Sequence, residues 1–394
     1  MTTNPDAEAN PERHDAVGLA RIADMLRAEA ANGLYWGAEP DEEARLRELR
    51  DHAAALLALV DHRPYEDVRA VFATDEQLRT PIPGTEFRID CGDGTRLVHR
   101  RRFRTDTLAD RLIATATALG ADVPAAPVAI ADTDLADLPC PHTYLLVYEF
   151  TTGLDPAAVE RLLEPADPDL AGDLPTYAPV DSAVVREREP LRVSTEAKAI
   201  LDAVAAVAKA ALADATSPYS VERHHRVAAH CERTTAADLD YPRIDCGDLA
   251  AHMISTGADA AIFDDEGRVL VIQRTDTGQW AVPGGGTEVG EPVGLAAIRE
   301  AFEETGLDVE LTGLSWAFDK RDTQLGDSRM PMIMSFTARR TSPGQAIRLA
   351  PLEASDHRWM TEAEALAAAN GPVAELFKGH ELRIPVAFAH HKSL

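Results

Sequence analysis

The sequence predicts a mixed protein of the α+β or α/β class, in which helical segments precede two regions of strands and helices. Helical periodicity is evident at residues 17–31 and 41–60 and again at 194–214 and 219–237. Strand-like runs follow each helical region, with TRLVHRRRF and TYLLVYEF before residue 150 and ADAAIFD and RVLVIQR after residue 257. At 394 residues, the chain is long enough for two or three domains with cores of their own.

These patterns divide the chain into six predicted segments. They are a disordered acidic tail at 1–16, a helical module at 17–62, an α/β domain at 63–150, a linker at 151–192, a second helical module at 193–240 and a domain at 250–394. The linker is predicted from its Pro, Asp and Glu content, as in EPADPDLAGDLPTYAPVD. Near the C-terminus, TEAEALAAA predicts a helix and LRIPVAF a final strand.

Composition places the chain among ordinary globular proteins of the cytoplasm. Hydrophobic residues make up 45% and aromatic residues 5%, and no run of eighteen apolar residues predicts a membrane span. The polar N-terminus is unlike a secretory signal. The four cysteines are far apart and lack the CxxC spacing of zinc sites, so we expect reduced thiols.

The net charge of −27 constrains the partners of this protein. Such an acidic surface disfavours nonspecific binding to nucleic acid or to anionic lipid, so we expect neither as a partner. The basic residues are 34 Arg and 5 Lys. This composition has two explanations, which stay open at this point: adaptation to high salt, where screening relieves self-repulsion, or a GC-rich genome.

A helix rich in carboxylates, AIREAFEETGL at 297–307, is the most informative stretch. Glu300, Glu303 and Glu304 share one helical face, where like charges repel by a few tenths of a kcal/mol per pair. Clustered carboxylates of this kind suit Mg²⁺ or Mn²⁺. Pro292 is predicted at the first helical position and Gly306 as the C-terminal cap. The preceding PGGG loop permits close approach of the backbone.

The spacing of these residues resembles the Nudix box at every defined position: Gly285, then Glu291, then REAFEETGL from Arg299 to Leu307. This resemblance implies an α/β/α sandwich with a mixed sheet and a loop–helix–loop metal site. It also implies hydrolysis of a nucleoside diphosphate linked to a moiety X, such as ADP-ribose or CDP-choline, to a nucleoside monophosphate and phosphorylated X. The alternatives are a nucleotide-sensing module without turnover and a pyrophosphatase of altered nucleoside triphosphates.

The resemblance also assigns roles to individual residues. The implied catalytic residues are Glu303, Arg299 and Glu300, and the implied ligands of Mg²⁺ or Mn²⁺ are Glu300, Glu303, Glu304, Glu291 and Gly285. The general base stays open among Glu303, Glu353 and Asp356. The candidate substrate contacts are Arg274, Gly284, Trp280, Asp319 and Arg321. For Arg274 the competing interpretation is an exposed surface arginine, and for Trp280 it is a side chain that supports the loop.

A second resemblance concerns SPYSVERHHRVA, which begins at Ser217. It is similar to a helical module that precedes some Nudix pyrophosphatases of the CDP-choline and ADP-ribose type, through Tyr219, Glu222, Arg223 and Val227. An ordinary amphipathic helix pair explains the same pattern.

Four segments of the first half align in order with the second half, which predicts an internal duplication. Residues 40–49 match 218–227 at an offset of 178, and DGTRLVHRR matches EGRVLVIQR at 173. LIATATALGADV matches IREAFEETGLDV at 186, which also sets Phe150 against Phe336. In this alignment the helix of the first half has none of the three carboxylates. The first half is therefore a candidate degenerate Nudix-like copy, and the chain a candidate homodimer or internal pseudo-dimer.

Overall fold

The structure is a computed structural model that describes residues 11–75, 77–135, 138, 141–183, 190–247, 249, 254–323, 330–371 and 375–394. The helices, in chain order, are α1 Pro11–Tyr35, α2 Pro40–Ala58, α3 Tyr65–Phe72, α4 Leu108–Leu119, α5 Pro156–Leu162, α6 Thr195–Asp214, α7 Pro218–Glu232, α8 Val293–Thr305, α9 Glu362–Asn370 and α10 His380–Ser393. The strands are β1 Ile82–Asp90, β2 Arg96–Arg102, β3 Ala129–Asp132, β4 Thr143–Thr151, β5 Thr176–Tyr177, β6 Leu191–Ser194, β7 Thr234–Ala237, β8 Thr256–Phe263, β9 Val269–Arg274, β10 Trp280–Ala281, β11 Gly284–Gly286, β12 Val309–Asp319, β13 Met332–Arg340 and β14 Ala354–Met360. In this described part, no helix is long and apolar enough to cross a bilayer.

The chain forms two compact units that do not follow its linear order. The first unit is helical and combines residues up to 81 with 133–142 and 186–253. Its core joins α1, α2 and α3 to α6 and α7 through buried side chains such as Leu26, Leu57 and Leu201. The second unit contains both large sheets, with residues 82–132, 143–185 and 254–394.

Each sheet of the second unit is mixed. The first sheet has the order β2-β1-β4-β3-β5, and the second has the order β10-β9-β8-β13-β12, with β11 paired to β8 and β14 to β9. Helices α9 and α10 cover the second sheet through a core that includes Phe263, Val271 and Phe388. The predicted mixed α/β class is therefore confirmed.

The two sheets share one pattern of strand pairing. In the first, β1 is antiparallel to β2 and parallel to β4, which is antiparallel to β3. In the second, β8 is antiparallel to β9 and parallel to β13, which is antiparallel to β12. Along the chain, one helix separates the first two of these four strands from the last two. Helix α4 lies between β2 and β3, and α8 lies between β9 and β12.

The correspondence extends to the turns and to the helix ends. Gly94 and Gly267, with φ of 84° and 71°, occupy the same place in the two hairpins, and each donates its N–H to the carbonyl three residues earlier at 3.0 Å. Gly120 and Gly306, with φ of 61° and 69°, cap α4 and α8. These glycines are 173 and 186 residues apart, the offsets predicted from the sequence.

The strand register shifts one part of that alignment. Ile89 pairs with Phe150, and its counterpart Ile262 pairs with Ala338. The residue that corresponds to Phe150 is thus Ala338, two positions beyond the predicted Phe336. Because side chains alternate with a period of two, both residues lie on the same face, and the sequence pattern could not separate them.

Four predicted segments need correction. The predicted disordered tail at 1–16 is too long, because α1 begins at Pro11 and buries Asp15 and Ala16; residues 1–10 lie outside the described part. The predicted linker at 151–192 contains α5 and β5, and Val159 and Leu170 are buried. The Pro- and Asp-rich composition of this segment reflects helix starts, since Asp155 caps α5 with Pro156 at its first turn.

The predicted strand LRIPVAF is part of helix α10. Ile384, Ala387 and Phe388 follow helical spacing and are all buried, and His391, one turn on, stacks on Phe263 with ring centroids 4.0 Å apart. This one-sided burial stabilises the helix even though Pro385 lies inside it. The predicted α/β domain at 63–150 is also divided, because α3 buries Val68 and Phe72 in the helical unit.

Candidate active site

Three consecutive glycines bring the backbone of the second sheet against α8. Strand β11 pairs with β8, which sets Gly284 opposite Asp259 and Gly285 opposite Ala258. A Cβ at Gly284 would lie 2.3 Å from the Cβ of Asp259, and one at Gly285 would lie 2.6 Å from a carboxylate oxygen of Glu300. Close approach of the backbone therefore requires glycine at position 284, whereas a Cβ at position 285 would displace the carboxylate of Glu300.

Helix α8 presents small apolar residues to the sheet and carboxylates to the glycine loop. The apolar residues on this face, Ala296, Ala297 and Ala301, are fully buried. The helix begins at Val293, one residue later than predicted, with Pro292 as its N-cap, and Gly306 ends it as predicted. Phe302 lies on the outer face of the helix and is 49% exposed.

Arg299 connects the predicted box residues. Its guanidinium forms a bidentate pair with Glu291 at 2.9 and 3.0 Å and donates to Glu300 at 2.8 Å and to Glu303 at 3.0 Å. A fifth bond, of 2.9 Å, reaches the carbonyl of Gly286. Burial lowers the pKa of Arg299, but Glu291 and Glu300 outweigh it and raise that pKa overall. The pairing of Arg299 with Glu303 is therefore one part of a larger network.

Glu304 lies deeper than the other carboxylates. Its residue is 6% exposed, and its Oε2 accepts the main-chain N–H of Gly284 at 2.8 Å. Burial, followed by the charge of Glu300, raises the pKa of Glu304 well above its usual range. Burial likewise raises the pKa of Glu300 to about 7, with Glu303 adding to the effect against the opposing Arg299. The crowded carboxylates therefore favour an additional positive charge.

The metal-ligand set is not arranged as a closed cluster. Across the described ranges, no group of three or more His, Cys, Asp or Glu side chains has the geometry to hold a metal ion. In this structure Arg299 binds the carboxylates of Glu291, Glu300 and Glu303. The assignment of metal ligands stays a prediction, although the hard oxygen donors it requires lie side by side.

Two candidate substrate contacts, Arg274 and Trp280, lie at the end of β9 and at the start of β10. Arg274 pairs with Asp276 at 2.7 Å, and its guanidinium carbon lies 4.6 Å from the ring centroid of Phe377. Trp280 exchanges main-chain hydrogen bonds with Glu375 and Phe377, and the guanidinium of Arg358 covers its ring at 4.3 Å. These contacts agree with the supporting role for Trp280 and show that Arg274 is not a free surface arginine.

Asp319 and Arg321 lie instead where the second sheet meets α4. Asp319 is 2% exposed, forms a bidentate pair with Arg321 at 2.9 and 2.6 Å, and accepts the N–H of Leu108 at 3.1 Å. Both residues are therefore engaged within the protein, and the structure does not bring them to the box. Among the candidate bases, Glu353 is close enough to Glu304 to raise its pKa, whereas no such link involves Asp356 among the described contacts.

Sequence reasoning missed two residues, Tyr144 beside the box and Lys320 near Arg274. The hydroxyl of Tyr144, on β4 of the first sheet, donates to the carbonyl of Glu291. Burial, followed by the charges of Arg274 and Lys378, lowers the pKa of Lys320 to about 8. The run TYLLVYEF indicated only a buried strand, and nothing local in it points to a residue 147 positions away.

Comparison with known proteins identifies the region around the box. The NUDIX domain model matches residues 253–378. A MutT-like protein of Streptomyces ambofaciens is 36% identical over 67 residues, which are 17% of this chain and 42% of that protein. Nucleoside diphosphate-linked moiety X motif 6 of Xenopus laevis is 42% identical over 67 residues, 16% of this chain and 30% of that protein. The chain thus spans less than half of each of these relatives.

The solved structures that align with this chain do so at low similarity. A UDP-X diphosphatase aligns at 17% identity with a TM-score of 0.38, over 49% of this chain and 92% of that one. The MutT protein of Methanosarcina mazei Go1 aligns at 16% identity with a TM-score of 0.29, over 36% of this chain and 96% of that one. Both TM-scores are below 0.5, so the assignment depends on the domain model and the sequence relatives. Residues 253–378 of this chain form a NUDIX domain, as the box predicted.

Proposed function

We propose that this protein hydrolyses the pyrophosphate linkage of a nucleoside diphosphate linked to a moiety X and releases a nucleoside monophosphate and phosphorylated X. The observation that carries the proposal is the network at α8, where Arg299 joins Glu291, Glu300 and Glu303 beside the buried Glu304. Burial, followed by the neighbouring carboxylates, raises the pKa of Glu300 and of Glu304, which is a cost without benefit to a purely structural helix.

We propose Mg²⁺ or Mn²⁺ as the cofactor. Glu300, Glu303 and Glu304, with the carbonyl of Gly285 and support from Glu291, are the residues that would hold it. The donor set fits, because these are hard oxygen ligands whose crowding a cation would relieve. When bound, the metal would neutralise pyrophosphate charge and lower the pKa of an attacking water.

Side chains of the protein orient the carboxylates and accept the proton of the attacking water. Arg299 fixes the rotamers of three carboxylates at once, so that they meet the substrate preorganised. The side chain of Glu303 is 32% exposed, against 14% for Glu300 and 16% for Glu291. It is therefore the carboxylate best placed to take a proton from water, with Glu353 as the nearest alternative base.

Two alternatives make different predictions about turnover. A nucleotide-sensing module would bind nucleotides without hydrolysing them. A pyrophosphatase of altered nucleoside triphosphates would prefer triphosphates; one relative, 35% identical over 60 residues, is named a putative 8-oxo-dGTP diphosphatase of Bacillus subtilis.

We further propose that residues 82–151 are a degenerate Nudix-like copy. Support comes from the shared strand pairing, the equivalent glycines in the hairpins and helix caps, and the helix α4. The counterparts of Arg299, Glu300 and Glu303 in α4 are Ile113, Ala114 and Thr117, all of them exposed. The region between β2 and α4 also lacks thirteen residues relative to that between β9 and α8, which removes the glycine loop. The helix pairs α1–α2 and α6–α7 would be the corresponding duplicated modules.

A substrate panel tests the proposed function. Purified protein is incubated with ADP-ribose, CDP-choline, NADH, diadenosine polyphosphates and deoxynucleoside triphosphates, with Mg²⁺ or Mn²⁺, and released mononucleotide is measured. We expect release from at least one nucleoside diphosphate linked to X, and its loss in EDTA. Binding without release would favour the sensing module, and release from triphosphates alone would favour the pyrophosphatase alternative.

A further inference from the structure

We propose that Tyr144, on β4 of the first sheet, is a positioning residue for the Nudix box on the second sheet. The inference rests on the proposed hydrolase function and gives the first sheet a part in it. Tyr144 is fully buried, and its hydroxyl donates a hydrogen bond to the main-chain carbonyl of Glu291.

That carbonyl stands at a sensitive point of the box. Glu291 immediately precedes Pro292, the N-cap of α8. The N–H of Glu291 donates to the carbonyl of Glu288 at 3.0 Å. The carboxylate of Glu291 accepts both hydrogen bonds of the bidentate pair from Arg299. A bond to the Glu291 main chain therefore fixes the place from which this side chain reaches Arg299, and Arg299 in turn holds Glu300 and Glu303.

Two further contacts run from the second sheet to the helix of the first. Asp319, the last residue of β12, and Asp322, three residues later, accept the N–H groups of Leu108 and Ala109 at 3.1 Å each. These groups are the first of helix α4, so the carboxylates cap it and meet its positive end. Each sheet thus holds the start of the other sheet's helix, with a tyrosine in one direction and two aspartates in the other.

The strand register shows that the position of Tyr144 in the first sheet is occupied by a methionine in the second. Tyr144 pairs with Asp132 at the end of β3, and the equivalent pair at the end of β12 is Met332 with Asp319. Methionine has no hydroxyl to donate, so the hydrogen bond runs only towards the helix that carries carboxylates. The first sheet would then have exchanged its own site for a supporting role.

The test compares Tyr144→Phe with Tyr148→Phe. Tyr148 lies on the same strand and face and is also buried, with its ring in edge contact with Phe87 at 6.4 Å, so its variant is a matched control. We expect Tyr144→Phe to lower kcat by about 3- to 10-fold, the factor typical of one lost hydrogen bond, with KM nearly unchanged. Mn²⁺ affinity, measured by calorimetry on the protein without substrate, should weaken by a similar factor. Tyr148→Phe should match the wild type in both.

Combination with Glu291→Gln separates positioning from general stability. If Tyr144 acts through the Glu291 carboxylate, adding Tyr144→Phe to Glu291→Gln should cost no further activity. Additive losses, or equal behaviour of Tyr144→Phe and Tyr148→Phe, would overturn the proposal. If the wild type hydrolyses no substrate, the proposed function fails, and Mn²⁺ affinity then decides: weaker binding by Tyr144→Phe alone supports the positioning role, and equal binding overturns it.

Discussion

Arg299 is the residue on which the geometry of the box depends most. Its planar guanidinium makes five hydrogen bonds to three carboxylates and one carbonyl, which the single ammonium of lysine cannot reproduce. We expect Arg299→Lys to lower kcat by about 10- to 100-fold through loss of alignment. Arg339→Lys, in an exposed pair with Glu310, is the control and should leave kcat unchanged. Wild-type kcat in Arg299→Lys would contradict the role assigned to this network.

Gly284 and Gly286 offer a matched pair for the glycine loop. A Cβ at Gly284 would overlap Asp259 and the carbonyl of Ala258, whereas one at Gly286 would meet, among the residues that the structure describes, nothing closer than the sulfur of Met330 at 3.5 Å. We expect Gly284→Ala to destabilise the protein by about 1–3 kcal/mol and to lower Tm, and Gly286→Ala to leave Tm nearly unchanged. Thermal unfolding followed by circular dichroism measures both, and equal Tm values would refute the close-approach argument.

The box residues could be predicted from the sequence because their spacing is local. Gly285 through Leu307 lie within one loop and one helix, so a fixed pattern of residue types determines where their side chains point. Asp319 and Arg321 could not be placed in this way. Their partner Leu108 lies 211 residues from Asp319, and only the folded chain brings them together.

Among the elements, helix α4 is stabilised by a contact from the segment that follows β12. Asp322 accepts the N–H of Ala109 at the start of this helix, a capping contact typically worth about 1 kcal/mol. We expect Asp322→Ala to lower the free energy of unfolding by about that amount in urea titrations. Asp265→Ala is the control, because that side chain is 86% exposed and only loosely paired with Arg340. If both variants have the stability of the wild type, α4 does not depend on this contact.

Elements with strong local signals followed the sequence, and those decided by distant packing did not. Helix α9 formed where TEAEALAAA predicted it, with a complete capping box between Thr361 and Glu364. LRIPVAF predicted a strand because its apolar residues alternate and because a proline inside the segment disfavours a helix. It became helical because Phe388 and Ile384 bury against the second sheet, which the segment alone does not reveal.

At the scale of the whole molecule, the second unit holds two mixed sheets in which four strands have the same pairing pattern. Two pairs of glycines in the turns and helix caps have the offsets found in the sequence, and the internal duplication stays a proposal. The division of the chain was not anticipated. Residues 133–142 and 186–253 return to the helical unit, so that sequence neighbours belong to different cores.

The most direct test of the account is hydrolysis by Glu303→Gln. This substitution removes one negative charge and keeps the size of the side chain, and Glu310→Gln on the exposed face of β12 is the control. With Mg²⁺ and the best substrate of the panel, we expect Glu303→Gln to lower kcat by at least about 100-fold with an unchanged Tm, and Glu310→Gln to match the wild type. Undiminished turnover by Glu303→Gln would contradict the assignment of the active site to helix α8.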